Sequence, residues 1–173
     1  TNWGNYPSVD ATVTETSRLS EIATLIEDCK EITVRGNGRS YGDASLGDNI
    51  FSTLRLNKFL DLDIEKGELE CESGVLFSDI LDVIVPKGFF LPVTPGTKFI
   101  TVGGAIGADV HGKNHHKEGS FASHVIYFDL LNEHGRELRC SPHENADLFW
   151  QTCGGMGLTG LILRARFRLK PIE

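Results

Sequence analysis

Apolar residues recur along this chain in short runs, and their spacing switches between the helical period and the two-residue rhythm of strands. Leu19, Ile22, Ala23, Ile26 and Cys29 share one helical face, with Ser17 as a start signal, and predict an amphipathic helix over residues 19–29. The β-branched run from Glu31 to Val34 ends at Gly36, the mark of a short strand entering a turn. Strands are predicted over residues 51–56, 60–64 and 69–72, the last two joined by a hairpin turn at Glu65-Lys66-Gly67. Leu76, Ile80, Leu81 and Ile84 predict a second helix, closed by Pro86 and Gly88.

Beyond residues 89–92 the periodicity lapses. Residues 94–120 are dense in glycine, small residues and histidine, which predicts a binding loop containing a short buried helix. A hairpin follows, with strands at 125–131 and 136–140 around Glu133-His134-Gly135, then a helix at 146–153 and a closing strand at 161–169. This order is mixed α+β, without the regular β–α alternation of a doubly wound sheet.

With 173 residues, 40% of them apolar and 24% charged, the chain suits a soluble domain with one substantial core, or two small cores sharing a seam. Its apolar runs are far too short for a membrane span. A net charge of −7 argues against a general nucleic-acid binder, yet backbone N–H groups can hold a small phosphate compound without a basic surface. Cys29, Cys71, Cys140 and Cys153 form no C-x-x-C pair and are expected as buried free thiols. The first residues lack the basic and then apolar pattern of a secretory leader, so a cytoplasmic protein is expected.

The nineteen glycines change the picture because many fall in three clusters, at 36–47, 96–119 and 154–160. Glycine lets a loop turn its N–H groups inward and lets a ligand approach the main chain. Gly36, Gly38 and Gly42 follow a strand but give G-x-G-x-x-x-G with no amphipathic helix behind it, which is not the Rossmann spacing. Taken alone, this cluster is equally well a structural turn. Thr101-Val102-Gly103-Gly104-Ala105 and Ala108-Asp109-Val110-His111 leave room for a bulky planar ligand, with Thr hydroxyls and free N–H groups facing its polar edges. A tightly packed small-residue helix is the duller alternative. Three clusters favour an extended ligand, such as a dinucleotide, over a single anion.

These residues carry a resemblance. Gly36-Asn37-Gly38-Arg39-Ser40-Tyr41-Gly42-Asp43, Pro95-Gly96-Thr97, Thr101 to Ala105, His111-Gly112-Lys113-Asn114-His115-His116, and Gly154 to Gly160 are similar to the FAD-binding domain of the vanillyl-alcohol oxidase (PCMH-type) family of flavoproteins. The resemblance spans nearly the whole chain. It implies an α+β fold of two subdomains, about 1–65 and 66–173, with FAD between them and a substrate or cap domain outside this chain. It implies that Val34, Arg35, Gly36, Asn37, Gly38, Arg39, Ser40, Tyr41, Gly42, Asp43 and Ala44 wrap the pyrophosphate. Gly96, Thr97, Thr101, Val102, Gly103, Gly104, Ala108, Asp109, Val110 and His111 would line the flavin and its phosphates, and Ile162 would meet the adenine side. Arg39 stands where many relatives carry a histidine bonded covalently to the ring, so the resemblance implies noncovalent FAD.

The implied activity is oxidation of a sugar hydroxyl by hydride transfer to FAD, and the similarity is strongest to members acting on a polyprenyl-phosphoryl pentose. Such a protein would work at the membrane periphery as one subunit of an epimerase, with an NAD-dependent reductase partner, in the supply of cell-wall arabinan. A sugar-lactone (aldonolactone) oxidase and a non-enzymatic flavin-binding module are the alternatives. His111 and Lys113 are the substrate-side candidates by the same resemblance. No ligand spacing completes a metal site around His111, His115 and His116, and none is expected. Tyr41 flanks the flavin or anchors its turn, and Phe149 and Trp150 are expected in the core.

Overall fold

The computed structural model describes residues 1–29 and 31–173. A small sheet comes first. β1 (Thr12–Glu15), α1 (Leu19–Asp28) and β2 (Thr33–Arg35) form a right-sized crossover unit, and β3 (Asn49–Ser52) inserts between the two strands, parallel to both. The link from β2 to β3 is therefore the first glycine cluster, thrown out at one end of a parallel sheet, where crevices for ligands form.

The larger sheet has five antiparallel strands in the order β4-β5-β9-β7-β8. β4 (Phe59–Asp63) and β5 (Glu68–Glu72) make the first hairpin, β7 (Val125–Leu131) and β8 (Glu137–Cys140) the second, and β9 (Leu161–Arg168) joins them. Strict alternation assigns the faces: Leu69, Cys71, Ala165 and Phe167 point inward, while Glu68, Glu70, Arg164 and Arg166 point outward. A two-stranded pair, β6 (Phe89–Phe90) with β10 (Lys170–Pro171), closes the edge near the chain end.

The inner face is covered by α2 (Phe77–Ile84), α3 (Val102–Gly107) and α5 (Ala146–Thr152), while the short α4 (His115–Glu118) lies outside this layer. Phe77, Phe121 and Phe167 form a chain of tilted rings, and Phe128 stacks on Phe149 at 5.1 Å. A second, smaller core joins the sheets: Ile22 and Phe51 pack with Leu56, Leu131, Leu161 and Leu163. The fold is thus α+β, with two cores sharing a seam. No described helix is long and apolar enough to cross a membrane.

Several sequence expectations shift. The strand predicted over 51–56 ends at Ser52, and Thr53–Arg55 is a 3-10 turn. The chain bends there around Gly74, where a Cβ would lie 1.9 Å from the Thr53 carbonyl oxygen. The start signal at Ser17 belongs to Thr16, whose hydroxyl accepts from the Arg18 N–H and donates to Glu21 at 2.5 Å. Trp150 is not in the core: it is 55% exposed and lays an edge on the buried Phe149. Cys71 and Cys140 are buried thiols, but Cys29 and Cys153 are only half-buried. Lys30 lies outside the described residues.

Candidate functional site

The glycine clusters converge on one continuous cleft between the two sheets. Its inner compartment is walled by Val34, Gly36, Ser40 and Ala44 from the first loop, Gly103, Gly104 and Ala108 from α3 and its end, and Ile162 from β9. The outer compartment shares Gly36, Ser40, Gly104 and Ala108 and adds Asn37, Gly38, Arg39, Tyr41, Gly96, Thr97, Thr101 and Val110. A third recess continues from Gly96 to His111 and Lys113, beside His115. The cleft is long and narrow, lined by small side chains, with its charged groups confined to the mouth.

Close contact holds the two halves of the cleft together. A Cβ on Gly36 would lie 2.3 Å from the Thr101 hydroxyl oxygen, so only glycine lets the first loop touch the start of α3. The Asn37 amide donates to the Phe99 carbonyl at 2.8 Å, tying the first loop to the second. Gly38 and Gly42 both take positive φ, at 60° and 59°, which turns successive peptide groups of the loop. The N–H groups from Asn37 to Gly42 donate to no acceptor among the described residues. Such a run is an anion-binding concavity.

The second cluster contributes shape more than donors. The Val102 N–H bonds the Val75 carbonyl, the Gly103 N–H bonds the Ser73 carbonyl at 2.7 Å, and the Gly104 N–H bonds the Thr101 hydroxyl at 3.1 Å. The expectation of free N–H groups at Gly103 and Gly104 is therefore corrected: the first is tied to Ser73 and the second to the helix cap Thr101, while both residues line the inner compartment. The Thr101 hydroxyl accepts from Gly104 and keeps its own proton for donation outward.

Five expected site residues do not line the cleft: Arg35, Gly42, Asp43, Val102 and Asp109. Val102 is a core side chain. Asp109, at φ 41°, accepts from the Ala122 N–H at 3.0 Å and so fixes the loop after α3. The Gly42 carbonyl accepts from the Asn2 amide, and the Asp43 carbonyl accepts from the Leu46 N–H. The Arg35 guanidinium faces the N-terminal segment behind the loop. Tyr41 is 81% exposed at the rim of the outer compartment, and its phenol makes no hydrogen bond among the described residues.

Sequence reasoning missed Ser45, Thr53, Ser73, Thr152, Met156 and Gly157 in the inner compartment and Trp3 at the outer mouth. Ser73 stands out because its hydroxyl is buried and has no hydrogen-bond partner among the described residues. Nothing in the stretch Cys71-Glu72-Ser73-Gly74 signals this, since the position follows from the packing of β5 against α3. Trp3 lies under the Arg39 guanidinium at 5.4 Å, and its N–H donates to the Ser40 carbonyl.

At the third recess the His111 and His115 rings meet edge to face, 5.7 Å between centroids. Nδ1 of His115 lies 3.2 Å from the Gly112 carbonyl, an arrangement that leaves Nε2 as the acceptor when the ring is neutral. His124 bonds the Glu118 carbonyl at 2.8 Å and is structural.

A dinucleotide flavin fits these residues. The unpartnered amides of the first loop suit a diphosphate, the small residues Gly103, Gly104, Gly107 and Ala108 leave room for a planar ring, and the unpartnered Ser73 hydroxyl borders the inner compartment.

Comparison with known proteins agrees. Over 99% of its length the chain is 38% identical to the decaprenylphosphoryl-beta-D-ribose oxidase of Mycolicibacterium smegmatis, of which it covers 39%. It is 28% identical over 98% of its length to the L-gulonolactone oxidase of Mus musculus, covering 40% of that protein, and 30% identical over 69% to the Delta(24)-sterol reductase of Homo sapiens, covering 23%. The chain thus spans two fifths or less of these relatives. The family described as FAD binding domain matches residues 7–141. With that match lying over the cleft just built, this chain belongs to the FAD-binding domain family of PCMH-type fold, and its cofactor is FAD.

Proposed function

We propose that this chain is the cofactor half of an oxidoreductase that oxidises a hydroxyl of a lipid-linked pentose, of the polyprenyl-phosphoryl type. The observation that carries the reading is the identity along 99% of the chain with an oxidase named for decaprenylphosphoryl ribose. The recess at His111 and Lys113, continuous with the flavin cleft through Gly96, supports it. FAD, when bound, supplies the hydride acceptor for the sugar carbon.

The chain's own residues divide the remaining tasks. The 36–42 loop holds the diphosphate through its main-chain amides, the small-residue wall of α3 sets the plane of the ring, and Ser73 donates from the inner end. Ile162 borders the adenine side from the inner compartment. Arg39 at the rim has no nucleophilic nitrogen lone pair to bond the ring, so the cofactor is held without a covalent link. His111 and Lys113 face the substrate: Lys113 meets an anionic group or polarises a hydroxyl, and the His111 imidazole accepts the hydroxyl proton. The FAD lies between subdomains of about residues 1–65 and 66–173, although β4 (Phe59–Asp63) already belongs to the larger sheet, and the cap over the sugar lies outside this chain.

The parent protein would then work in the cytoplasm against the membrane face that presents its substrate, passing the keto sugar to an NAD-dependent reductase that completes an epimerisation. The test is anaerobic mixing of the FAD-loaded parent protein with a polyprenyl-phosphoryl pentose. Bleaching of the flavin absorbance is expected, with none for an aldonolactone; bleaching by the lactone alone would reverse the assignment. Mass measurement after denaturation is expected to show the unmodified protein, whereas a retained flavin mass would overturn noncovalent binding.

A further inference from the structure

The loop that takes the diphosphate has a cation beneath it. Arg35, the last residue of β2, is half-buried, and among the described residues it pairs with no carboxylate. Its hydrogen bonds all go to neutral oxygens: Asn2 Oδ1, the carbonyl and hydroxyl of Ser45 at 3.2 Å each, and the Thr1 carbonyl at 2.7 Å. The guanidinium presses on the underside of the loop, since a Cβ on Gly38 would lie 2.1 Å from Nη2. A half-buried charge with no counter-ion carries a desolvation cost, and that cost is offset when an anion arrives nearby.

Asn2 holds this arrangement together. It is 4% exposed, its Oδ1 receives both Arg35 and the Ser45 hydroxyl, and its Nδ2 donates to the Gly42 carbonyl at 3.1 Å. One side chain therefore spans the near and far ends of the loop and fixes the guanidinium under its middle. An aspartate at this position would bond Arg35 more strongly, yet it would cancel the charge and lose the donor to the Gly42 carbonyl. Asparagine preserves it.

We propose that Asn2 is a positioning residue for the cofactor: it locks Arg35 beneath the 36–42 loop so that the guanidinium lends uncompensated positive charge, from behind the main chain, to the bound diphosphate. The proposal rests on the FAD reading and assigns the N-terminal segment a part in it. The interaction is electrostatic and crosses one layer of backbone, so it favours FAD over riboflavin, which has no phosphate.

The test is titration of the flavin-free parent protein with FAD and with riboflavin across a range of salt, for the unaltered protein and for Asn2→Asp, Arg35→Gln and Arg35→Lys. Asn2→Asp is expected to weaken FAD roughly tenfold. Its dependence of log Kd on log salt flattens, and riboflavin binding is unchanged. Arg35→Gln repeats the loss and the flattening, and Arg35→Lys restores the salt dependence. Tight FAD binding with unaltered salt dependence in Asn2→Asp would overturn the proposal, as would equal weakening of FAD and riboflavin in Arg35→Gln. Should the unaltered protein bind riboflavin but not FAD, the proposal and the FAD reading both fall; should it bind FAD and Asn2→Asp do so equally well, only the proposal falls.

Discussion

Two arginine-bearing regions of this molecule are built on opposite principles. On the outer face of the five-stranded sheet the arginines are answered by carboxylates: Asp129 accepts from Arg139 at 2.9 Å and from Arg164 at 2.5 Å, and Arg166 reaches Glu68, Glu70 and Asp61. Beneath the cofactor loop, Arg35 is answered among the described residues only by neutral oxygens. The first region spends its charge on holding strands in register, and the second keeps its charge for a ligand. The contrast teaches that the overall charge of −7 says little about anion binding, since what matters is where a cation has been left without a partner.

The largest expected effect breaks the satisfied side. Burial pushes the Asp129 carboxyl up, but the bonds from Arg139 and Arg164 outweigh it and hold the carboxyl below the usual carboxylate range. Asp129→Asn leaves two arginines facing a neutral group and is expected to cost about 3 kcal/mol, or roughly 10 °C in midpoint, with FAD affinity of the folded protein unchanged. Because the folded pKa is lowered, the contribution is fully present above the unfolded value of about 3.9 and is lost as pH falls through the folded value. Denaturation from pH 6 down to pH 2 should therefore show a shallower acid limb for Asp129→Asn. An unchanged limb would mean that other carboxylates carry the acid transition.

A smaller effect belongs to the ligand side. Gly36→Ala places a methyl against Thr101, which is fully buried and cannot rotate away without releasing the Gly104 N–H it caps. The loop must lift from α3, at a cost of about 1–2 kcal/mol in stability and roughly tenfold in FAD affinity. Calorimetric titration checks both. Equal losses of stability and no loss of affinity would show that the loop docks on FAD without help from α3.

The contrast was only half legible in the chain. The sheet could be read because alternation in Glu68-Leu69-Glu70-Cys71 and Arg164-Ala165-Arg166-Phe167 puts charge on one face and core on the other. β1 could not be read: Thr12-Val13-Thr14-Glu15 has little apolar rhythm, is mostly exposed, and is a strand only because β3 pairs with it. Glycine density located the cleft, yet it could not say which amides stay free. That of Gly104 is consumed by the helix cap Thr101, a local partner, and that of Gly103 by Ser73, a neighbour that only the tertiary fold supplies. Arg35 was placed in the loop by its position, while its direction is set by Asn2, thirty-three residues earlier. Trp150 shares a helix with Phe149, and a helix of seven residues buries one face only.

The smallest effect concerns a group that belongs to neither pattern. The Ser73 hydroxyl lies in the inner compartment, fully buried and with no partner, so it carries a desolvation cost of about 1–3 kcal/mol that a hydrogen bond would offset. Ser73→Ala removes that cost in the flavin-free protein and removes the bond in the loaded one. The two changes have opposite signs: the flavin-free midpoint should rise by a few degrees and the FAD-induced increment should shrink, about threefold in Kd. Cavity formation cannot mimic this, because losing one oxygen from a packed site lowers the flavin-free midpoint. A fall in that midpoint with an undiminished FAD increment would return Ser73 to the packing of β5 against α3 and leave the inner end of the cleft to main-chain contacts alone.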